Sequence, residues 1–446
     1  VMTSGNRSDE PIAYRDDDAR SRLASIADGF LVHDREIEAR CEDSVVRVVR
    51  VGGHEQVLMI RRSRGYVPDP IPLPVRVDPP ILAVGGHLKN TVCIARDRQA
   101  VVGPHGGDLG DAIAFSAYAR GVDHLVELSG VAPATIAHDL HPEYLSTKYA
   151  ADRDDLVSAG VQHHFAHFAA CLAEHDERGD AIGLIFDGAG YGPDGSIWGG
   201  EILAGDLGGF TRIGHLRPVS LPGGEAAVKK PWRMACAWLC DAHGGDAPLP
   251  TALHGIVQPE QWATVCRIAR TSSRAPVTTS VGRLLDACAA ICGVRPRVNY
   301  EGQAAIDFES IARAGATGAY PCAVYDEQTI IIDPREMIRA VERDANAGRD
   351  RAEIAAWAHN GLVYAAALAA QAASDRMGTR TIVLSGGVFQ NVLMLEALAA
   401  ALERRNLRVL VPRLLPPNDG GLSYGQAAVA ACQRSSDVPG DSWTSC

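Results

Sequence analysis

Strand-length apolar runs, punctuated by glycine or proline and separated by alanine-rich helical patterns, recur along the chain and predict an α/β protein. Residues 43–49 and 57–62 read as two strands turning at Gly52 and Gly53, a hairpin. Residues 64–74, RGYVPDPIPLP, replace that pattern with prolines. This is the composition of a semi-rigid extended linker, so a domain boundary is expected there. Residues 81–95 then predict strand, glycine turn, strand, and the same order returns at 182–203 as a weak internal repeat. In each copy an apolar strand delivers bare backbone N–H groups at a turn, which suits phosphate oxygens. Two such turns imply a cleft between two lobes, although either alone also reads as an ordinary hairpin.

The remaining pattern fills in around these runs. Residues 1–10 read as a strand end entering a polar loop, and helices are expected over 111–118 and 154–159. From 221 to about 326, helical patterns of broken periodicity predict an inserted helical cap. Residues 381–391 and 408–412 return to buried strands, the first running into a Gly-Gly turn of the kind that admits a nucleotide at a strand's carboxyl end.

Composition narrows the class. The 446 residues are 46% hydrophobic and 22% charged, enough for two to four packed units. A net charge of -11 and a pI near 5.8 argue against a broad nucleic-acid footprint, which needs clustered Lys and Arg. The 11 cysteines are scattered and never form CxxC. Neither a disulfide framework nor a zinc ribbon is indicated, and a reducing cytoplasm is the expected setting. No charged-then-apolar leader opens the chain, and its apolar runs are too short to span a bilayer, so membrane insertion is not expected.

The candidate chemistry begins at residues 161–170, VQHHFAHFAA. If this run is helical, His163 and His167 stand one turn apart on the same face, a two-point clamp for a divalent ion, while His164 points elsewhere. The plainer alternative is a helix with surface histidines. Asp187 ends an apolar strand just before Gly188, where a carboxylate commonly meets a metal or its bound phosphate, or simply caps a turn. Asp419, after Asn418 and before two glycines, is a third metal oxygen supplied from the second lobe, or a helix N-cap. Gly302 stands just ahead of an apolar helical pattern, where a helix N-terminus holds an anion or is merely capped.

Taken together, these segments resemble the HypF-type carbamoyltransferases of hydrogenase maturation, and more widely the pairing of a YrdC-like with a Kae1-like domain. VMTSGNRSDEPI, HDREI, CEDSVVRVV and RRSRGYVPDPIPLP are similar to the end of a YrdC-like domain. VQHHFAHFAAC, FDGAGYGPDGSIWGGE, YEGQAAI, LSGGVFQN and PPNDGGLSYGQA are similar to successive Kae1-like signatures. The resemblance implies a two-lobed actin/Hsp70-like (ASKHA) domain with a helical insertion, preceded by a truncated YrdC-like α/β segment. Its expected bounds are 1–74 for the YrdC-like part and linker, 75–180 for lobe I, and 181–446 for lobe II with the insertion at about 221–326. Carried over by motif, it implies metal ligation by His163, His167, Asp419 and Asp187, the last being a fourth ligand or the group that orients phosphate. It makes His163, His167 and Asp187 the catalytic set. It places Gly188, Gly190, Gly200, Glu201, Gly302, Ser385, Gly386, Gly387, Asn391 and Asn418 on nucleotide-binding loops, and Ser4 and Asn6 on the YrdC-like SxN element.

The activity so implied is transfer of a carbamoyl group from carbamoyl-adenylate, made from ATP and carbamate derived from carbamoyl phosphate, to the C-terminal cysteine thiolate of a HypE-like protein. The product would later supply cyanide to a nickel-iron centre. The metal would be iron, zinc or manganese, with magnesium accompanying the nucleotide. An acylphosphatase-like domain, zinc-finger repeats and the KxR-bearing first half of the YrdC-like domain, all part of the family pattern, are not in this sequence. Two other readings therefore stand beside it: an O-carbamoyltransferase acting on a small molecule, and a protein that binds nucleotide or a HypE-like partner without turnover.

Overall fold

The computed structural model describes residues 4–7, 10–110, 112–271 and 275–436, and every structural statement below concerns these. Of the opening residues 1–10, several lie outside that set, so the expectation for that stretch is met only by the loop around Gly5 and Asn6. A short helix, α1 (Asp16–Leu23), leads to a hairpin of β1 (Val45–Val51) and β2 (His54–Arg61). It turns at Gly52 and Gly53, whose φ angles of 64° and 75° are left-handed values that glycine adopts without strain.

The proline-rich stretch is not a linker. Its second half opens β3 (Ile71–Ala83), a long strand paired antiparallel with β4 (Cys93–Val102). Its first half is pinned by the buried Arg62, whose guanidinium donates to the carbonyls of Tyr66 (2.7 Å), Asp69 (2.9 Å) and Val102 (3.3 Å). Prolines are accommodated in β3 because the ladder is irregular between Pro72 and Ile81, where bulges relieve missing donors. Sequence composition reports extension here and is silent about the guanidinium that anchors it.

After helix α2 (Ala112–Ser129), β5 (Thr135–Asp139) pairs parallel with β3. A short α3 (Leu145–Ala151) precedes β6 (Val157–Val161), which pairs parallel with β5. Residues 154–159, expected to be helical, are instead a turn and the start of β6. The place beside β5 offers Ser158 and Ala159 a full parallel ladder with Ile136 and Ala137, and tertiary pairing overrides a weak helical preference. The four-stranded order is β4-β3-β5-β6. Leu82, Ile94, Ile136 and Val122 form its core against α2. From β6 the chain enters α4 (His163–Glu174), which is buried from His163 through Ala173. Its Phe165, Phe168 and Leu172 are sealed, each worth about 1.5–3 kcal/mol.

The chain then builds a second unit. β7 (Ala181–Tyr191), β8 (Ile197–Gly205) and β9 (Phe210–Leu216) form an antiparallel meander, followed by β10 (Val219–Ser220). The helical insertion comes next, as the broken periodicity predicts, with α5 (Glu225–Lys229), α6 (Trp232–His243), α7 (Pro259–Arg270), the short β11 (Val277–Thr278), α8 (Val281–Ile291) and α9 (Gln303–Ile311). β12 (Ala323–Asp326), β13 (Ile330–Asp333), α10 (Arg335–Asn346) and the alanine-rich α11 (Arg351–Met377) lead to β14 (Thr381–Ser385). Helix α12 (Val392–Glu403) and β15 (Arg408–Leu410) complete the unit. The sheet order is β12-β13-β9-β8-β7-β14-β15, with β14 parallel to both β7 and β15.

Within that order, β8-β7-β14-β15 repeats β4-β3-β5-β6: one antiparallel hairpin continued by two parallel strands. The internal repeat seen in the hairpins therefore extends to whole sheets, the duplicated arrangement of an actin/Hsp70-like fold. β7 is apolar at nearly every position because both faces of its sheet are covered.

The final helix, α13 (Leu422–Ser436), does not stay with the second unit. Unit 1 comprises the described residues up to Val48, Val57–Arg178 and those from Pro412 onward, whereas unit 2 comprises Val49–Gln56 and Gly179–Val411. This differs from the expected division at 74 and 180, because β3 belongs to the first sheet and α13 packs on β3 and α4. Among the described residues no helix is long and apolar enough to cross a membrane.

Candidate functional site

The local sequence of unit 1 makes α4 begin abruptly. Gln162 is extended at φ -64° and ψ 136°, and its side-chain oxygen accepts the Phe165 N–H at 2.8 Å, capping the helix. His163 and His167 consequently fall one turn apart, with ring centroids 5.1 Å from each other. They are buried rather than on the surface. Asp419 approaches from the turn before α13: its Oδ1 lies 3.7 Å from His163 Nε2 and 3.6 Å from His167 Nε2. Asp419 thus belongs to the same unit as the histidines and is not supplied from the other one, correcting the expectation for lobe II.

Two devices hold that turn. Asn418 accepts the Gly420 N–H at 2.9 Å and donates to the Ile60 carbonyl at 3.0 Å. Gly86 lets the chain pass close, since a Cβ there would lie 3.3 Å from Asp419 Oδ2 and 3.0 Å from Leu422. Behind His163, the sealed Asp139 at the end of β5 sets Oδ2 2.8 Å from Nδ1 and accepts the His141 N–H at 2.8 Å. Nδ1 donating to that carboxylate fixes the tautomer and turns the Nε2 lone pair toward Asp419. Asp139 was not a sequence candidate. Its signal was an aspartate closing the apolar strand TIAHD just before His141.

Donor atoms 3.6 to 3.7 Å apart are too distant for a hydrogen bond. Two ligands at about 2.1 Å from a tetrahedral ion would be separated by about 3.4 Å, so this set fits a divalent metal. Imidazole with carboxylate suits iron, zinc or manganese. Beside it, His141 stacks on Tyr144 at 4.1 Å and His87 on the same ring at 5.3 Å. Burial lowers the pKa of both, opposed by Asp108 at His87 and by Asp139 at His141.

Unit 2 presents its own loops. Asp187 Oδ1 accepts the Gly387 N–H at 3.0 Å, which ties β7 to the loop after its parallel neighbour β14. Ser385 is buried at the end of β14, and Gly386 has φ 101°, with no room for a Cβ beside the Phe186 carbonyl. Ser280 donates to the carbonyls of Asp187 and Gly188, at 2.7 and 2.8 Å. A Cβ on Gly188 would meet Glu301 Oε1 at 2.9 Å and Arg283 at 3.7 Å, so those two side chains flank this turn; of the two, Arg283 was not a sequence candidate. Gly190 pairs with Trp198 in the β7–β8 ladder, and Gly302 caps α9 at φ 78°.

Other candidates serve the fold. Glu201 is sealed, and its carboxylate accepts from the N–H groups of Gly199 (3.0 Å) and Gly200 (3.2 Å), from Thr279, and from Arg212 at 2.6 Å. Those bonds give Glu201 a structural role in the β7–β8 hairpin and its neighbours. Gly200 is small because Thr279 and Leu216 press on it. Asn391 caps α12 through the Met394 N–H at 3.1 Å and donates to His359 at 2.9 Å, so it too is internally committed. Ser4 and Asn6 are joined to each other at 2.6 Å in a loop apart from these residues in sequence, and nothing in the described structure joins them to α4 or β14.

Comparison with known proteins matches this architecture segment by segment. Residues 183–426 match the family described as "Carbamoyltransferase, Kae1-like Domain, second subdomain". Residues 76–174 match the HypF Kae1-like domain, and residues 1–63 match the YrdC/Sua5 family described as "Telomere recombination". Carbamoyltransferase HypF2 of Cupriavidus necator is 40% identical over 96% of this chain and 56% of its own length, so the chain spans about half of that relative. A HypF homolog of the same organism is 37% identical over 79% of this chain and 92% of its own length. A crystal structure of full-length HypF in a phosphate- and nucleotide-bound form superposes with a TM-score of 0.91 at 37% identity, covering 100% of this chain and 68% of that one. In sequence and in fold, the chain belongs to the HypF carbamoyltransferase family.

Proposed function

We propose that this chain carries out carbamoyl transfer from carbamoyl-adenylate to the C-terminal cysteine thiolate of a HypE-like protein, in the assembly of the cyanide ligands of a nickel-iron hydrogenase. The observation that carries the reading is the convergence of His163, His167 and Asp419 Oδ1 at ligand-like spacing, with Asp139 behind His163. When bound there, a divalent metal supplies positive charge to the adenylate phosphate and carbamoyl oxygen, lowering the barrier to attack and to departure of AMP.

The chain's own groups have simpler tasks. His163 and His167 hold fixed positions without loop ordering, because α4 is capped and packed on every side. Asp187 serves as a further ligand or as the group that orients phosphate, and its bond to the Gly387 N–H keeps the SGG loop in register with β7. The backbone of Gly386 and Gly387, with Gly188, Gly190, Gly302, Ser385 and Asn418, forms the nucleotide-facing loops, while Ser4 and Asn6 serve the YrdC-like part, where ATP and carbamate derived from carbamoyl phosphate would be joined. In the transfer itself, the C–S bond forms as the bond from the carbamoyl carbon to the phosphate oxygen breaks, and AMP carries away the electron pair. Free thiols throughout the described cysteines accord with a cytoplasmic setting.

Pre-formed carbamoyl-adenylate tests this directly. Mixed with the chain, a divalent metal and a HypE-like acceptor, it should yield a carbamoylated acceptor, and His163→Ala should lower the rate at least about 100-fold. Transfer to a small hydroxylated acceptor instead, or nucleotide binding without transfer, would overturn the proposal.

A further inference from the structure

Helix α6, with sequence WRMACAWLCDAH, places Cys236 and Cys240 four residues apart on one face, and α7 brings Cys266 against them. The three Sγ atoms all lie within 4.8 Å of one another, and the Cys236–Cys266 pair is 3.2 Å apart. All three residues are at most 3% exposed.

A buried cysteine usually behaves as a small apolar side chain. Convergence from two helices is harder to account for that way. Cys288 and Cys292 show the contrast: they are also four residues apart and buried, yet among the described residues they gather no third thiol at metal-ligand spacing. Metal–sulfur bonds of about 2.3 Å put the sulfurs of a three-thiolate site about 3.8 to 4.0 Å apart, so this trio needs only small side-chain movements to close on an ion.

We propose that Cys236, Cys240 and Cys266 form a second metal site, in the helical insertion, for a thiophilic d10 ion, zinc(II) or copper(I), that fastens α6 to α7. Softness selects the ion: three sulfurs with no imidazole or carboxylate at that spacing favour these ions over magnesium, manganese or calcium. Loading releases up to three thiol protons to solvent, and the ion takes the three thiolates as ligands with no change in oxidation state. At the end of α7, Arg270 is paired with Asp246 at 2.8 Å, which ties the helix to the loop that precedes it. The thiols also face the carbonyls of Trp262 and Ala247, at 3.8 and 3.9 Å. Trp262 in turn donates to the Ala247 carbonyl at 2.8 Å, so the loop before α7 is already ordered around the trio.

The test uses the full chain carrying His163→Ala, so that the histidine set does not contribute. Cobalt(II), standing in for zinc(II), and copper(I) are titrated separately under reducing conditions, each against a competing chelator. One equivalent should bind with thiolate-to-metal charge-transfer absorption, release protons and raise the thermal midpoint. Cys240→Ser and Cys266→Ser, on different helices, should each weaken binding about 100-fold or more and abolish the absorption, while Cys288→Ser leaves both unchanged. No thiolate absorption with either ion, undiminished binding in both serine variants, or a Cys236–Cys266 disulfide formed in place of metal loading would overturn the proposal.

Discussion

Asp139 Oδ2 lies 2.8 Å from Nδ1 of His163, and both side chains are sealed from solvent. The carboxylate is a better acceptor than any neutral group, and it arrives on β5, whose end pairs with the residue that leads into α4. Asp139→Asn keeps the shape and removes the charge. Metal affinity should fall about 10- to 100-fold with little change in unfolding midpoint, measured by competition titration. An unchanged affinity would mean that His163 is oriented by packing alone.

Gly425 on α13 has no room for a side chain, because a Cβ there would run into the Ala166 carbonyl of α4. Gly425→Ala should therefore destabilise the chain by about 1–3 kcal/mol in denaturant unfolding and weaken metal binding together with stability. Gly110→Ala, where nothing lies within 4 Å, should stay within about 0.5 kcal/mol.

The Glu174 side chain at the end of α4 is almost sealed from solvent, and burial pushes its pKa up to about 8, against the opposing N–H bonds from Arg413 (2.6 Å) and Leu414 (3.1 Å). The folded state thus holds a proton that the unfolded chain gives up near pH 4.5. Stability should fall from about pH 4.5 to about pH 8 and then level off, at up to about 1.4 kcal/mol per pH unit. Chemical unfolding of the chain and of Glu174→Gln at several pH values checks this: the difference between them should carry that slope and vanish as a pH dependence below pH 4.

Glu201→Gln separates a structural carboxylate from a nucleotide ligand. Losing the charge and the oxygen that accepts from Arg212, while the remaining amide oxygen still accepts the two backbone N–H groups, should cost about 3–5 kcal/mol in unfolding free energy. Nucleotide affinity of the folded fraction should be unchanged. Selective loss of nucleotide binding at full stability would restore the ligand role.

What could be read from the sequence follows the range of the forces involved. Periodicity exposed the two hairpins because a strand's pattern is local, and the duplicated sheets follow once β5 and β6 or β14 and β15 find their places. The spacing of His163 and His167 was legible for the same reason, being one helical turn. Long-range commitments were not. Nothing local marks Glu201 as sealed by Thr279 and Arg212, or Asn391 as facing His359. Residues 154–159 look helical alone and become strand only because β5 offers a ladder. Arg62 likewise turns an apparent linker into ordered structure through carbonyls distant in sequence.

The return of α13 to unit 1 has a consequence for synthesis. His163 and His167 leave the ribosome long before Asp419, since Gly179–Val411 of unit 2 intervenes. A nascent chain can form the histidine pair on α4 well before the turn that carries Asp419 has been made. A metal held by the proposed set would gain its Asp419 oxygen only after the strands of the second sheet have been made.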